Sequence, residues 1–344
     1  MKKNILLALV LISALIICNC GGEKFTIYTW DEMFPQDILR GFEKSAGYKI
    51  NYVNFDTNET MLARLQAAKG GGYDLIIADD YIIELAVMER LVQKLDKSKL
   101  TNIRNINPVY QKQFYDPMDE YTIPYGAGVQ TIMYDPRRVN IKITGYEDLW
   151  DNSLVNRVGI IGNFRVINGM VLKIFGESYN TNNVDLIRFA GVFLQELAPN
   201  IRLIRDDRLE EELLSGEISA AVMYTSQVTM AKMEDPALEV VFPKEGIGFG
   251  IMAGFIPVNA PNPAAAHAFL NYILDAKRGA ECFEYLGYYS TYSASDPLIA
   301  PEYKEFLTLH EGFNINMEMI QNINPEAEEA HNMIWTQFRS AAGQ

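Results

Sequence analysis

Cysteine is nearly absent from this chain. Three occur in 344 residues, Cys18, Cys20 and Cys282, and the first two sit in an N-terminal apolar stretch. The body therefore has no material for an internal disulfide or a Cys-based metal site. Histidine is as rare: His267, His310 and His331 are scattered and show no metal-ligand spacing. Positive charge is in deficit. The 30 Lys and Arg stand against 44 Asp and Glu, a formal net charge of −14. That balance excludes nucleic acid, which needs a basic surface, and favours cationic ligands through long-range attraction. Past the N-terminus no apolar run approaches the ~20 residues of a membrane span. Long repeats and low-complexity tracts are missing. So are a Gly-rich phosphate loop and a nucleophile–base pair, and paired carboxylates alone do not make a glycosidase. The chain is expected to be no enzyme, and to need neither cofactor nor metal.

What is present starts with Lys2-Lys3 and the apolar run Ile5–Ile17. The run is short for a bilayer span and reads as the core of a bacterial export signal. Ile17-Cys18-Asn19-Cys20-Gly21-Gly22 follows and resembles a lipoprotein box, although Asn19 stands where Gly or Ala is commoner. A lipoprotein signal peptide is assigned to residues 1–20, with Cys20 as the lipid-attachment residue. The expected location is the periplasm, with the protein anchored to a bacterial membrane through that lipid. About 320 residues remain, enough for two domains of ordinary size.

The body reads as alternating strands and helices. Lys24–Trp30 is a strand ending in Trp30; Asp31, Glu32 and Pro35 open a helix with Ile38, Leu39 and Phe42 on one face; Tyr48–Val53 is the next strand. Asn58–Lys69 is a helix, and Tyr73–Ala78 a buried strand followed by Asp79-Asp80-Tyr81. One of those two acids is expected to cap the helix Tyr81–Glu89. Two successive strand ends thus deliver carboxylates and an aromatic ring to one edge, where ligands gather in open α/β sheets. Pro108–Tyr115 reads as a short helix. Tyr121–Pro124 and Val129–Tyr134 read as strands bent at Gly126 and Gly128, a first crossing between two lobes. A second α/β lobe starts at Arg157–Ile161, continues through the helix Asp206–Leu214, and has a strand Ile218–Tyr224 that leads into Thr225-Ser226-Gln227. There the residues face a ligand or simply cap a helix. Gly248–Val258 is long enough to return to the first lobe. Trp150 and His267 read as packing residues.

The order of motifs carries a resemblance. YTWDEMFP, NETMLARLQAAKGGGYDLIIADDY, QKLDKSKLTNIRNINP, YTIPYGAG, VVFPKEGIGFG and LGYYS follow one another along the chain. Together they resemble the spermidine/putrescine-binding proteins of bacterial polyamine ABC transporters, over almost the whole body. The resemblance implies an α/β fold, the two-lobe periplasmic binding protein of type II, with two crossing strands and an interlobe cleft. Residues 23–128 and 251–298 would make the first lobe, and 129–250 and 299–344 the second. It also implies a polyamine ligand, ABC transporter permease subunits as partners, and action as a monomer.

In this family aromatic walls hold the methylene chain and carboxylates hold the ammonium groups. A ring face attracts an ammonium by about 0.5–2 kcal/mol, and a buried cation needs a paired anion. By resemblance the aromatic and polar positions fall on Trp30, Tyr81, Tyr224, Tyr288 and Gln321. The family's first-helix Tyr falls on Met33 and a further Trp on Gly250. Its second-lobe carboxylates fall on Asn163, Val166 and Met252, so those anchors are missing. In the favoured reading the acids have moved to Asp31, Asp79 and Asp206, and polyamine binding survives. In the alternative the cleft takes a less cationic amine or an amino-acid-like solute.

Overall fold

The computed structural model describes residues 22–307 and 316–344. The leader 1–20 and Cys20 lie outside the described residues.

The first lobe is built on β1 (Glu23–Thr29), α1 (Gln36–Ala46), β2 (Tyr48–Asn54), α2 (Asn58–Ala67), β3 (Leu75–Asp79) and α3 (Asp80–Met88). β1 lies between β2 and β3, parallel to both. Its alternation decides the packing. Phe25 and Ile27 enter one apolar core and Tyr28 another, on opposite faces of the sheet. A parallel sheet needs cover on both faces, and the chain provides it. Ile38, Leu39 and Phe42 of α1 fill the first core; Met61, Leu62 and Leu65 of α2 fill the second.

The long strand β4 (Thr122–Tyr134) leaves this lobe. The second lobe follows with β5 (Val158–Ile160), α4 (Phe164–Ile174), α5 (Val184–Gln195), β6 (Ile201–Ile204), α6 (Leu209–Ser215), β7 (Ala220–Tyr224), α7 (Thr225–Glu234) and β8 (Glu239–Val241). Then β9 (Ile247–Phe255) returns, followed by α8 (Pro263–Ile273), α9 (Ala276–Leu286), α10 (Pro301–Leu307), β10 (Met317–Met319) and α11 (Pro325–Ala341). The strand order is β2-β1-β3-β9-β4-β7-β5-β6. β4 is the shared element: Thr122–Val129 pairs antiparallel with β9, and Gln130–Tyr134 with β7. A separate core, from Ile132 to Phe338, fills the second lobe. These are two α/β lobes joined by two crossing strands. Among the described residues no helix is long and apolar enough to cross a membrane.

Several expectations are corrected. The two strands read on either side of Gly126 and Gly128 are one strand, with a register irregularity between Pro124 and Gly126. The glycines serve a neighbour instead: a Cβ on Gly128 would lie 2.8 Å from the Tyr288 ring. The helix read at Pro108–Tyr115 is only a 3-10 turn, Pro108–Tyr110. The helix read from Asp206 begins at Leu209, which leaves Asp206 in a loop. α1 begins at Gln36; before it Asp31–Phe34 forms a turn, with Glu32 at φ 51°. Three short elements, β6, β10 and α10, carry too little periodicity to be read in advance. Trp150 packs on Phe193 at 4.9 Å, and His267 accepts the Asp96 N–H, so both are structural.

Candidate functional site

Strand register brings the site together. β1 and β3 are parallel with Tyr28 beside Ile76, so Trp30 and Asp79 leave the sheet at one edge. In the second lobe Ile160 lies beside both Ile204 and Val222, so Gly162, Asp206 and Tyr224 emerge at another. The two edges face each other across the cleft. Tyr224 and Tyr288 each have both Asp79, from the first lobe, and Asp206, from the second, as electrostatic neighbours.

Asp79 and Asp80 part ways at the end of β3. Asp80 is buried; one carboxylate oxygen accepts the Tyr81 N–H and the other the Ile251 N–H of β9. It ties α3 to a crossing strand. Asp79 is the N-cap residue of α3 but makes no side-chain cap bond. Its carboxylate accepts from Asn58 Nδ2 at 2.8 Å. Burial pushes its pKa up to about 6, with a small addition from Glu59 and relief from Asn58. Asn58, itself buried, also donates to the Tyr81 hydroxyl at 3.0 Å, and that hydroxyl donates to Glu59 at 2.9 Å. The first turn of α2, which Thr57 caps, thus holds both Asp79 and Tyr81.

Asp206 accepts the Gly162 N–H at 2.9 Å. A Cβ at Gly162 would lie 2.6 Å from its carboxylate, so only glycine permits the approach. Part of Asp206 stays open to solvent, yet desolvation raises its pKa, opposed by the Gly162 N–H. Gln227 braces this region, donating to the Asp206 carbonyl and accepting the Tyr224 N–H. The Asn163 side chain is an electrostatic neighbour of the Tyr224 hydroxyl, and burial raises that hydroxyl's pKa well above the usual range. Ser226 is an electrostatic neighbour of the Tyr288 hydroxyl, and burial pushes that hydroxyl's pKa up to about 12. Thr225 clamps the backbone of β4 at Val129 in both directions. The Thr225-Ser226-Gln227 turn is therefore scaffolding for the walls.

Asp79, Tyr81, Asp206, Tyr224 and Tyr288 form one constellation, and Trp30 ends a strand at the same sheet edge as Asp79. The Trp30 ring is half-buried and packs on Phe55 at 4.5 Å. Two expected residues stand apart. Asp31 is exposed, and accepts from Asn54 at 2.7 Å in a recess of about 360 Å³ shared with Glu32, Tyr52 and Tyr285. Gln321 is exposed, and its backbone is what is held, by Asn180 and Arg165. Its neighbour Asn322 reaches the first lobe instead, donating to the Tyr81 carbonyl and to Glu84. Val166 is a core residue and Met252 is buried against Gly126, so neither position offers the cleft a polar group. Asn58, Glu59 and Arg165 were not singled out from the sequence as site residues; Ser226 was read as facing a ligand or capping a helix, and Asn163 only as a position where a family carboxylate is missing. The Asn-Glu at the head of the NETM motif was a signal for the first two. Arg165 shows only when the lobes are assembled.

Chemically, the site is an anionic, aromatic-walled cleft. Neither Asp79 nor Asp206 has a basic group among the influences on its pKa. An outer opening of about 260 Å³ lies between Glu32 and Tyr285 of one lobe and Glu210 and Ser226 of the other. Among the described residues no cluster of three His, Cys, Asp or Glu could hold a metal ion.

Comparison with known proteins is consistent with this chemistry. Residues 37–306 match the family of bacterial extracellular solute-binding proteins. The chain is 33% identical over 282 residues to the spermidine/putrescine-binding periplasmic protein of Salmonella typhimurium, covering 82% of this chain and 81% of that one. It is 30% identical over 316 residues to the protein of the same name from Escherichia coli, covering 92% and 87%. Among solved structures it superposes on a spermidine/putrescine ABC transporter substrate-binding protein from Streptococcus pneumoniae. The TM-score is 0.78 at 25% identity, covering 93% of this chain and 99% of that one. The architecture is that of a type II periplasmic binding protein.

Proposed function

Since the chain belongs to the bacterial extracellular solute-binding proteins and is similar to their spermidine/putrescine-binding members, we propose that it is the polyamine receptor of an ABC importer. The observation that carries this reading is the pair Asp79 and Asp206. They are two carboxylates from opposite lobes, Asp79 half-buried and Asp206 partly open to solvent, flanking Tyr224 and Tyr288, with no basic group acting on either. Burying carboxylates without a partner is costly, and a ligand carrying ammonium groups supplies the partner. Tyr81, Tyr224, Tyr288 and Trp30 wall the methylene chain. Asp31 serves the approach to the cleft rather than its floor, and Gln321 contributes through its backbone.

The lobes, 23–128 with 251–298 and 129–250 with 299–344, close as units about β4 and β9, exclude water and present a joint surface to the permease. Cys20 carries the lipid that tethers a monomer at the periplasmic face of a membrane. The less cationic solute is not favoured, because it leaves the two acids unpaired.

Calorimetric titration tests the reading, using putrescine, spermidine and a neutral diol of matching length. The polyamines bind saturably and the diol does not. Asp79→Asn and Asp206→Asn each weaken polyamine binding at least tenfold, in line with the ~2–5 kcal/mol for breaking a buried charge pair. A folded protein that ignores every polyamine sinks the proposal.

A further inference from the structure

The chain leaves little slack between Cys20 and the fold. β1 starts at Glu23, so three residue steps separate the cysteine from the sheet, at most about 11 Å of extended chain. A lipid on Cys20 therefore holds the start of β1 at the bilayer surface, and the residues around that start meet the headgroups.

The topology decides which residues those are. β1, β2 and β3 are parallel, and their carboxyl ends point to the cleft. Their amino ends form the opposite edge of the lobe. α1 and α2 run back from the cleft, so their last turns arrive at this edge too. Gly47, which closes α1, lies so near Gly22 that a Cβ there would collide with its carbonyl. Beyond the end of α2 the Lys69 carbonyl accepts from Asn259, and Gln66 donates to Glu89 at the foot of α3. Lys24, Lys44, Lys49, Lys69 and Arg90 are all exposed here. Of these, only Lys49 has an ion-pair partner among the described residues, Glu43 at 3.6 Å. The acids of the edge are Glu23, Glu43 and Glu89; Asp74 is buried and accepts the Thr26 and Asn262 N–H groups. The edge is thus net basic on a chain of net charge −14. Met88, at the foot of α3, is 70% exposed beside it.

We propose that this amino-terminal edge of the first lobe is a membrane-docking surface: the Cys20 lipid draws it onto the bilayer, and its basic residues seat on anionic phospholipid headgroups. The surface potential of such a leaflet decays within a Debye length, so only residues held against it gain. The first lobe is then proximal and the second distal. The cleft stands a strand length away, about 23 Å for the seven residues of β1. That is more than twice the Debye length of ~8 Å, so anionic lipid does not compete with Asp79 and Asp206 for cations. The inference rests on the lipid assignment of Cys20 above, not on the identity of the ligand.

The test uses the full chain, processed in a bacterial host and reconstituted into vesicles of phosphatidylcholine, alone or mixed equally with phosphatidylglycerol. A fluorophore is placed on Ser45→Cys, at the edge, or on Ser153→Cys, before the amino end of β5 in the second lobe, and read by energy transfer to an acceptor on the headgroups. The native Cys282 is buried. Transfer from the edge label is expected to exceed that from the distal label about fivefold or more, because about two strand lengths separate them. A flexible Gly/Ser linker of about 20 residues inserted after Gly22 frees the body from the tether. Transfer from the edge label should then fall on neutral vesicles and persist on anionic ones. The triple variant Lys24→Glu/Lys44→Glu/Lys69→Glu, in the long-linker chain, should abolish that persistence. Should the variant fold poorly, high salt on the long-linker chain replaces it and should release the edge equally. Equal transfer from the two labels, or a long-linker chain that loses transfer equally on both kinds of vesicle, overturns the inference. So does persistence that neither charge reversal nor salt removes. A Cys20→Ser chain that incorporates labelled fatty acid as well as the wild type overturns the Cys20 assignment, and this inference with it; polyamine titration decides the ligand separately.

Discussion

Asp79 shows how a carboxyl held against its solvation becomes a sensor of its own ligand. Its pKa rises to about 6 because burial disfavours the charged form. Between the unfolded pKa near 4 and this value, the folded state holds more protons than the unfolded state. Stability of the ligand-free protein therefore falls as pH rises through that window, by at most about 3 kcal/mol from this group. Other carboxylates contribute with either sign, so the quantity to measure is the difference between wild type and Asp79→Asn. Denaturant unfolding at pH 4 and pH 7.5 should show the wild type losing stability relative to the variant at the higher pH. No relative change would mean that Asp79 is not desolvated. A bound ammonium reverses the shift, so binding should release a proton near pH 5. Affinity should then drop as pH falls through 6, and calorimetry in buffers of different ionisation enthalpy reads that release directly.

Among the elements, β4 decides most. Its two glycines lie on the Tyr288 side, and they are not equivalent. A Cβ on Gly128 meets Tyr288 Cδ1 at 2.8 Å and the Thr225 hydroxyl at 3.3 Å, while a Cβ on Gly126 meets the flexible Met252 Cε at 3.1 Å. Overpacking of a rigid ring costs about 1–3 kcal/mol. Gly128→Ala is predicted to lower stability by that order, displace Tyr288 and weaken ligand binding at least tenfold. Gly126→Ala should be milder in both, because a methionine end can move. Thermal unfolding and titration of the two variants side by side check the order, and equal effects would refute it. Asp80 makes a complementary case at the end of β3. Both its oxygens accept backbone N–H groups, one of them on β9. Asp80→Ala leaves the buried Ile251 N–H unpaired, so it should destabilise by about 1–3 kcal/mol.

For the whole molecule, the net charge of −14 acts before any contact forms. An acidic body with an anionic cleft draws cations from solution, and that attraction is screened by salt. The association rate of putrescine, followed by stopped-flow tryptophan fluorescence, is expected to fall about tenfold between 0.01 and 0.15 M ionic strength. A rate indifferent to salt would show that steering plays no part. Contacts between the lobes also bear on closure: Asn322 reaches Tyr81 and Glu84, and Thr229 donates to the Gly287 carbonyl.

Local pattern was enough for much of this protein. Period-two alternation in Phe25, Ile27 and Tyr28, and helical spacing in Ile38, Leu39 and Phe42, are properties of short stretches, and they appear in the fold as read. The order of motifs likewise settled the family, because motif order survives in sequence alone. Composition excluded a disulfide-stapled body, and Cys282 is buried and free. Tertiary structure decided the rest, because the remaining questions turn on what lies opposite. Asp79 and Asp80 are identical side chains one residue apart, and only the tertiary neighbours separate them: the Ile251 N–H makes Asp80 a brace, while Asp79 accepts from Asn58 alone. Asp31 looked like a helix cap, but the following helix starts later and the side chain finds Asn54 on the neighbouring strand. Gly126 and Gly128 looked like a bend until the Tyr288 ring lay against them. Nothing in its own stretch of sequence marks Arg165. Burial against Glu328, beside Tyr81 and Glu59, is a fact about two lobes that no single stretch contains.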